Sequence, residues 1–208
     1  YHQGGERSVK TLKVLILNGS PHKNGTTAYA LGLVEKALHR FDVETEWIHV
    51  PSDTHGCIGC WKCRETGRCV FNDGVNEAVE KMNAADGLVI GSPVYFASAS
   101  GSVFCFLDRM FARSEGFAGK PAAVVAVARR AGASATLDAL TKYPSICEMP
   151  LVTSSYWPMV YGMDPEEAKK DEEGAGVMNR LGQNMAWLLH CIELGKSGGA
   201  VREQFIAR

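Results

Sequence analysis

The sequence predicts a three-layer α/β sandwich, with helices covering both faces of a five-stranded parallel sheet. Three observations predict it. Short runs such as Leu12–Asn18 and Ala122–Ala128 are almost continuously apolar and rich in β-branched residues, as in strands buried on both faces. The segments between such runs carry apolar residues at helical spacing. The two patterns alternate as βα repeated five times, and consecutive parallel strands need a crossover of that kind.

The first strand, Leu12–Asn18, ends at Gly19-Ser20-Pro21. Thr26 or Thr27 can cap a helix over residues 28–39, whose face is Ala30, Leu31, Val34, Ala37 and Leu38. Residues 43–50 alternate apolar and polar and stop at Pro51, which predicts the second strand. A cysteine-rich loop follows. Helical spacing returns over 75–84, with Val75, Ala78, Val79 and Met82 on one face. The third strand is 87–91, stopped by Ser92-Pro93, and a loop runs on to Gly101. Residues 101–112 are helical in pattern, 122–128 form the fourth strand and 135–146 a helix weakened near its end by Pro144. The fifth strand is expected at Met149–Thr153. Asp164-Pro165 opens a long helix reaching about Leu194, with a break expected near Gly174-Ala175-Gly176.

The 208 residues suit one domain with a full core. Apolar residues make up 46% and charged residues 22%, with a net charge of −1, so no electrostatic footprint for nucleic acid or an anionic membrane is present. No apolar run reaches bilayer length. Residues 1–10 are polar, lack the apolar core of an export signal, and read as a disordered tail or an expression remnant; residues 11–208 read as a single domain. The seven cysteines are odd in number and unevenly spaced, which suits a reducing, cytoplasmic setting better than a disulfide framework.

Two loops stand out at the carboxyl ends of strands, where parallel sheets bind ligands. The first is Gly19-Ser20-Pro21-His22-Lys23-Asn24-Gly25-Thr26-Thr27. It leads into a helix start, whose free N–H groups and positive dipole end suit one phosphate. It lacks the Walker lysine after Gly25 and is not Gly-x-Gly-x-x-Gly, which disfavours an NTPase or a Rossmann dehydrogenase. A plain turn and cap would use the same residues. The second loop, Gly91 to Gly101, combines small residues with Tyr95 and Phe96 and could hold a flat ring, or simply cover the sheet.

Together the two loops resemble the FMN-binding loops of the NADPH-dependent FMN reductase family, and within it the iron–sulfur flavoprotein and multimeric flavodoxin branch. Arg129-Arg130-Ala131-Gly132, Ser155-Tyr156-Trp157 and Asn184-Met185-Ala186-Trp187 extend the similarity, which covers Leu12 to Lys196. The resemblance implies a flavodoxin-like fold with strand order 2-1-3-4-5. It implies FMN, with its phosphate at Ser20, His22, Asn24, Gly25, Thr26 and Thr27. The ring edge would lie on Pro93, Val94, Tyr95, Phe96, Ala97 and Ser98, and Arg130 and Gly132 would border its other side. An arginine there would stabilise charge on reduced flavin, although Arg129 and Arg130 also read as a solvated basic pair. His22 stands where many relatives carry arginine, which lessens the fixed charge at the phosphate.

The sharpest local feature is Cys57-x2-Cys60-x2-Cys63-x5-Cys69. Gaps of two let several thiolates face one cluster, and Lys62, Arg64 and Arg68 would offset their charge. Tetrahedral zinc, a reversible disulfide and free thiols also fit the residue types. The resemblance implies a [4Fe–4S] cluster on these four cysteines. His55 reads as a loop residue. Asp108-Arg109 reads as a structural ion pair or an interface contact.

The activity so implied is FMN-dependent oxidation of NAD(P)H, with electrons passing to a quinone, a flavin or a similar small acceptor, or to the cluster. The chemistry lies at the flavin N5 and needs no catalytic side chain. The alternatives are a non-catalytic electron carrier and a thiol or metal sensor. Carriers of this fold tend to be strongly acidic, and this chain is not. The family also implies a homodimer or homotetramer.

Overall fold

The computed structural model describes residues 10–203, so all but Lys10 of the expected tail lies outside the described residues. The parallel core of the sheet comprises β1 (Leu12–Asn18), β2 (Val43–His49), β3 (Gly87–Tyr95), β5 (Ala122–Ala128) and β6 (Met159–Tyr161), while β4 (Ser98–Ala99) pairs antiparallel with β3 alone. The order β2-β1-β3-β5-β6 is the expected 2-1-3-4-5 arrangement once the two-residue β4 is set aside.

The apolar runs are explained by what covers them. Leu15 and Leu17 of β1 face one layer with Met82, Phe106, Leu107 and Leu140, from α3 (Val75–Ala84), α4 (Gly101–Phe111) and α5 (Ala133–Ile146). Val14 and Ile16 face the other, with Leu31 and Val34 of α1 (Thr26–His39) and Met178, Leu181 and Met185 of α7 (Glu172–Ser197). A strand sandwiched this way has no solvent face, so alternation disappears from its sequence. Each such side chain contributes about 1.5–3 kcal/mol of transfer free energy. Gly182 lets α7 approach α1: a Cβ there would lie 2.6 Å from both Ala37 Cβ and the Val34 carbonyl.

Four expectations need correction. The fifth strand is not a continuous Met149–Thr153. Leu151 makes one bridge to Ala122, the chain then leaves the sheet, and β6 resumes opposite Ala126–Ala128. Leu151 faces Ala122 and Met159 faces Ala126, so eight residues span the length of four and the excess loops out. Pro158 ends the excursion, its carbonyl accepting from Ala126 N–H at 3.0 Å. The third strand does not stop at Gly91 but runs to Tyr95. Past Gly91 only β5 continues the parallel pairing, so Pro93 sits in the edge-like part of the strand, where proline is tolerated.

Neither Thr26 nor Thr27 caps α1: Gly25 is the cap residue and no side chain bonds the first turn. The long C-terminal helix breaks before Asp171, between α6 (Pro165–Ala168) and α7, and not at Gly174–Gly176. Asp171 accepts from Gly174 N–H at 2.9 Å and from Tyr161 N–H at 2.8 Å, which makes it a helix cap. The glycines then lie in the first turn of α7.

Candidate functional site

The parallel strands end together, and the loops that follow β1, β3 and β5 meet at that carboxyl edge. The first loop is tied from within. Asn18 Nδ2 donates to the Lys23 carbonyl at 3.2 Å, Ser20 N–H donates to Asn18 Oδ1 at 3.1 Å, and His22 N–H donates to Ser20 Oγ at 3.1 Å. These bonds leave the start of α1 open. It has no side-chain cap and no acidic residue in its first turn. Thr26, Thr27 and the residue after them therefore present orphan amides at the positive end of the helix. His22, Lys23 and Asn24 are exposed around that end. His49, at the end of β2 opposite Asn18, carries a buried Nδ1 with no partner. Burial, and then the charge of Lys23, hold its imidazole below its ordinary pKa.

The second loop is a β-hairpin. Val94 pairs with Ala99 and Tyr95 with Ser98, leaving Phe96 and Ala97 as the two turn residues. Both adopt positive φ, 51° and 58°, in a position that favours Asn-Gly. Left-handed backbone costs about 1–2 kcal/mol per non-glycine residue. The Phe96 ring stands fully in solvent and Tyr95 and Ala97 are exposed, while Pro93, Val94 and Ser98 are half-buried.

Packing fixes the two loops to one another. Gly19 N–H donates to the Gly91 carbonyl at 2.8 Å, and Ser100 Oγ donates to the Gly19 carbonyl at 3.0 Å. Ser92 Oγ accepts from Ser100 N–H at 3.1 Å, which closes the base of the hairpin. The crossing needs glycine at Gly19, where a Cβ would lie 2.1 Å from Val103 Cγ2. The third loop joins the group at Gly132 (φ 82°), where a Cβ would fall 2.7 Å from Ala97 Cα. Arg129 and Arg130 precede it, both exposed.

The excursion before β6 carries exposed Tyr156 and Trp157, with ring centroids 5.1 Å apart. They line a hollow of about 340 Å³ with Gly132, Ser134, Tyr161 and Asp171. The structure thus brings the Ser155-Tyr156-Trp157 segment to the same edge as the other loops. Asn184 lies apart in α7, donating to the Thr153 carbonyl at 2.8 Å, and Trp187 is exposed.

The cysteine segment follows β2. Cys57 and Cys60 are exposed and Cys63 and Cys69 half-buried, and all four line one small apolar cavity with Ile58, Trp61, Val70, Phe71, Arg109 and Ala112. Positive φ at Gly59, Trp61 and Gly67 bends the chain around it, flanking the short α2 (Lys62–Thr66). Among the described residues, no group of three or more His, Cys, Asp or Glu converges tightly enough to hold a metal ion. The exposed cations are engaged elsewhere: Lys62 with Glu65, Arg68 with Glu80, and Arg64 over the Trp61 ring at 4.2 Å.

Among the described residues, the cation that hydrogen-bonds a thiol is Arg109. It pairs with Asp73 and not with Asp108, which instead accepts from Tyr143 Oη at 2.5 Å. Adjacency along the chain suggested Asp108, but neighbours on a helix point away from one another. His55 is indeed a loop residue, its ring stacked on Phe71 at 4.6 Å. Arg109 was legible only as an ion-pair member and His49 not at all; no local motif marks either.

The chain is similar to known proteins in sequence and in fold. The model of the NADPH-dependent FMN reductase family matches residues 12–164. An iron–sulfur flavoprotein of Methanocaldococcus jannaschii is 31% identical over 192 residues, covering 88% of this chain and all of that one. The solved apo form of an NADH:FMN oxidoreductase superposes with a TM-score of 0.61 at 26% identity, covering 85% of this chain and 89% of that one. A flavodoxin-type WrbA-like protein from Agrobacterium tumefaciens shares the fold, with a TM-score of 0.62 at 13% identity over 88% of this chain and 99% of that one. With the fold and the sequence match in agreement, this chain belongs to the NADPH-dependent FMN reductase family of flavodoxin-like, FMN-dependent redox proteins.

Proposed function

We propose that this FMN-dependent redox protein is a cytoplasmic NAD(P)H oxidoreductase that passes electrons to a quinone, a flavin or a similar small acceptor. One observation carries the reading: the uncapped start of α1 and the Phe96–Ala97 hairpin are locked together at one sheet edge by Gly19, Gly91, Ser92 and Ser100.

The residues fit FMN. The phosphate would meet the amides of Thr26 and Thr27, with Ser20, His22, Asn24 and Gly25 forming the turn around it. The unpartnered Nδ1 of His49 and the exposed Lys23 lie on the same side. The backbone of Pro93 to Ser98 would hold the ring edge, and Gly132 lets the third loop close against the hairpin. Arg130, beside Gly132, would face charge on the reduced ring. Bound FMN supplies the two-electron chemistry, which the protein positions and tunes. Tyr156 and Trp157 would shield the pocket from water and give a second planar molecule a surface to stack on.

The cysteine cavity suits a [4Fe–4S] cluster held by Cys57, Cys60, Cys63 and Cys69. The support is the donor set: four thiols line one apolar space, and although they do not converge on a single metal position as they stand, the segment is short enough to draw in around a cluster. When bound, the cluster supplies one-electron transfer. A homodimer or homotetramer is the assembly we expect.

The test is steady-state oxidation of NADPH and NADH by FMN-loaded protein, with and without a quinone. Turnover that depends on FMN and rises with the quinone is expected. No turnover with either nucleotide across several acceptors would leave a carrier and remove the enzyme.

A further inference from the structure

We infer that Arg109 anchors Cys69 and sets the reduction potential of the iron–sulfur cluster, acting as a positioning residue through its hydrogen bond to the sulfur. The inference rests on the cluster reading above. Arg109 lies on α4 beneath the cysteine segment and is only 3% exposed. Its Nε donates to Cys69 Sγ at 3.2 Å, and Nη1 donates to the His55 carbonyl at 3.0 Å. Nη1 and Nη2 donate to the two Asp73 carboxylate oxygens at 2.5 and 2.7 Å, while Cζ lies 4.9 Å from the Phe71 ring centroid.

One buried guanidinium therefore binds the chain before the first cysteine, the fourth cysteine itself and the residues after it. The Cys69 backbone is pinned separately: its N–H donates to Asn76 Oδ1 at 2.8 Å, and Asn76 Nδ2 donates back to its carbonyl at 3.0 Å. The backbone tie leaves Arg109 free to serve the sulfur.

A merely structural arginine would be a costly choice. A buried ion pair gains little over apolar residues of the same volume. Closing the loop needs only the contacts to Asp73 and the His55 carbonyl. The Nε–H on sulfur gains most when that sulfur is an anion, because the guanidinium then meets an opposite charge that a neutral thiol lacks. Donors to cluster sulfurs and nearby positive charge favour the reduced, more negative cluster and raise its potential. Asp73 offsets part of that charge, so the two residues act in opposite senses.

The experiment uses holoprotein purified anaerobically: wild type, Arg109→Gln and Asp73→Asn. Iron and sulfide are measured, and the cluster potential is followed by EPR-monitored titration with the FMN potential in the same sample as reference. In Arg109→Gln the cluster keeps its iron and its potential falls. The expected shift is a tenfold change in the oxidised-to-reduced ratio, about 59 mV for one electron. In Asp73→Asn the potential rises, because the guanidinium loses its counter-charge. The FMN potential stays put in both.

Unchanged potentials, or shifts of the same sign in the two variants, overturn the inference and leave the cluster intact. Should Arg109→Gln not fold, a fall in Asp73→Asn overturns it alone. Wild-type protein without iron or sulfide overturns the cluster itself, which is decided before either variant is made.

Discussion

At the residue scale, a few side chains have their environments set by partners distant in sequence. Asp73 is the clearest. The hydrogen bond from Arg109 holds its carboxyl below the ordinary 3.8, against the raising effect of burial. A carboxylate whose folded pKa is depressed stabilises the protein above its unfolded pKa and loses that contribution as pH falls through the folded value. Removing one partner of a buried pair costs about 3–5 kcal/mol, and Asp73, which keeps some solvent, belongs at the lower end. Thermal melts should show Asp73→Asn well below wild type at pH 7, with the gap starting to close below about pH 4, as the unfolded chain takes up the proton, and vanishing once the pH falls through the depressed value of the folded carboxyl. A gap that stays constant from pH 7 to pH 3 would remove the ion pair from the account. Gly132 illustrates the opposite kind of legibility. A glycine after a strand reads as a helix entry, and its positive φ agrees; that it also seats the Ala97 backbone follows from contact across 35 positions of sequence.

Elements differ in how much of their form is local. The strands β1 and β5 and the helices α1, α3 and α4 follow from apolar spacing, because each spends a full face or both faces in the core. The hairpin after β3 does not. Phe-Ala is a poor pair for a turn needing two positive φ angles, and nothing in Tyr95-Phe96-Ala97-Ser98 signals it. The tertiary ties at Ser92, Ser100 and Gly132 hold it there, and strain of that kind is often kept where a ligand is clamped. Replacing Phe96-Ala97 by Asn-Gly should raise stability by about 2 kcal/mol, read as a higher urea midpoint of ligand-free protein. A lower midpoint would mean that the turn is not left-handed in solution. The fifth strand is the other case. Met149–Thr153 has strand composition, yet only Leu151 pairs, because Pro150 and Pro158 bracket a detour that lifts Tyr156 and Trp157 to the carboxyl edge.

For the whole molecule, the main consequence is that ligand binding and folding are linked. Ligand that binds only the folded state at a hundred times its Kd adds about 2.7 kcal/mol of stability. FMN should therefore raise the melting temperature, and riboflavin, which lacks the phosphate, should raise it less at the same concentration. Equal shifts would mean that the start of α1 does not hold the phosphate. Among the described residues, no helix is long and apolar enough to cross a membrane. By itself the sequence determined the parallel α/β class, the two loop segments at the carboxyl ends of the strands and the cysteine spacing. Each is written in local periodicity or in the residue types that a turn or a thiolate site requires. Only the tertiary structure decided which cation meets Cys69, how the hairpin is held, where the fifth strand runs and that the start of α1 stays uncapped. Those are contacts between segments far apart along the chain, and no local pattern encodes a partner that packing alone brings near.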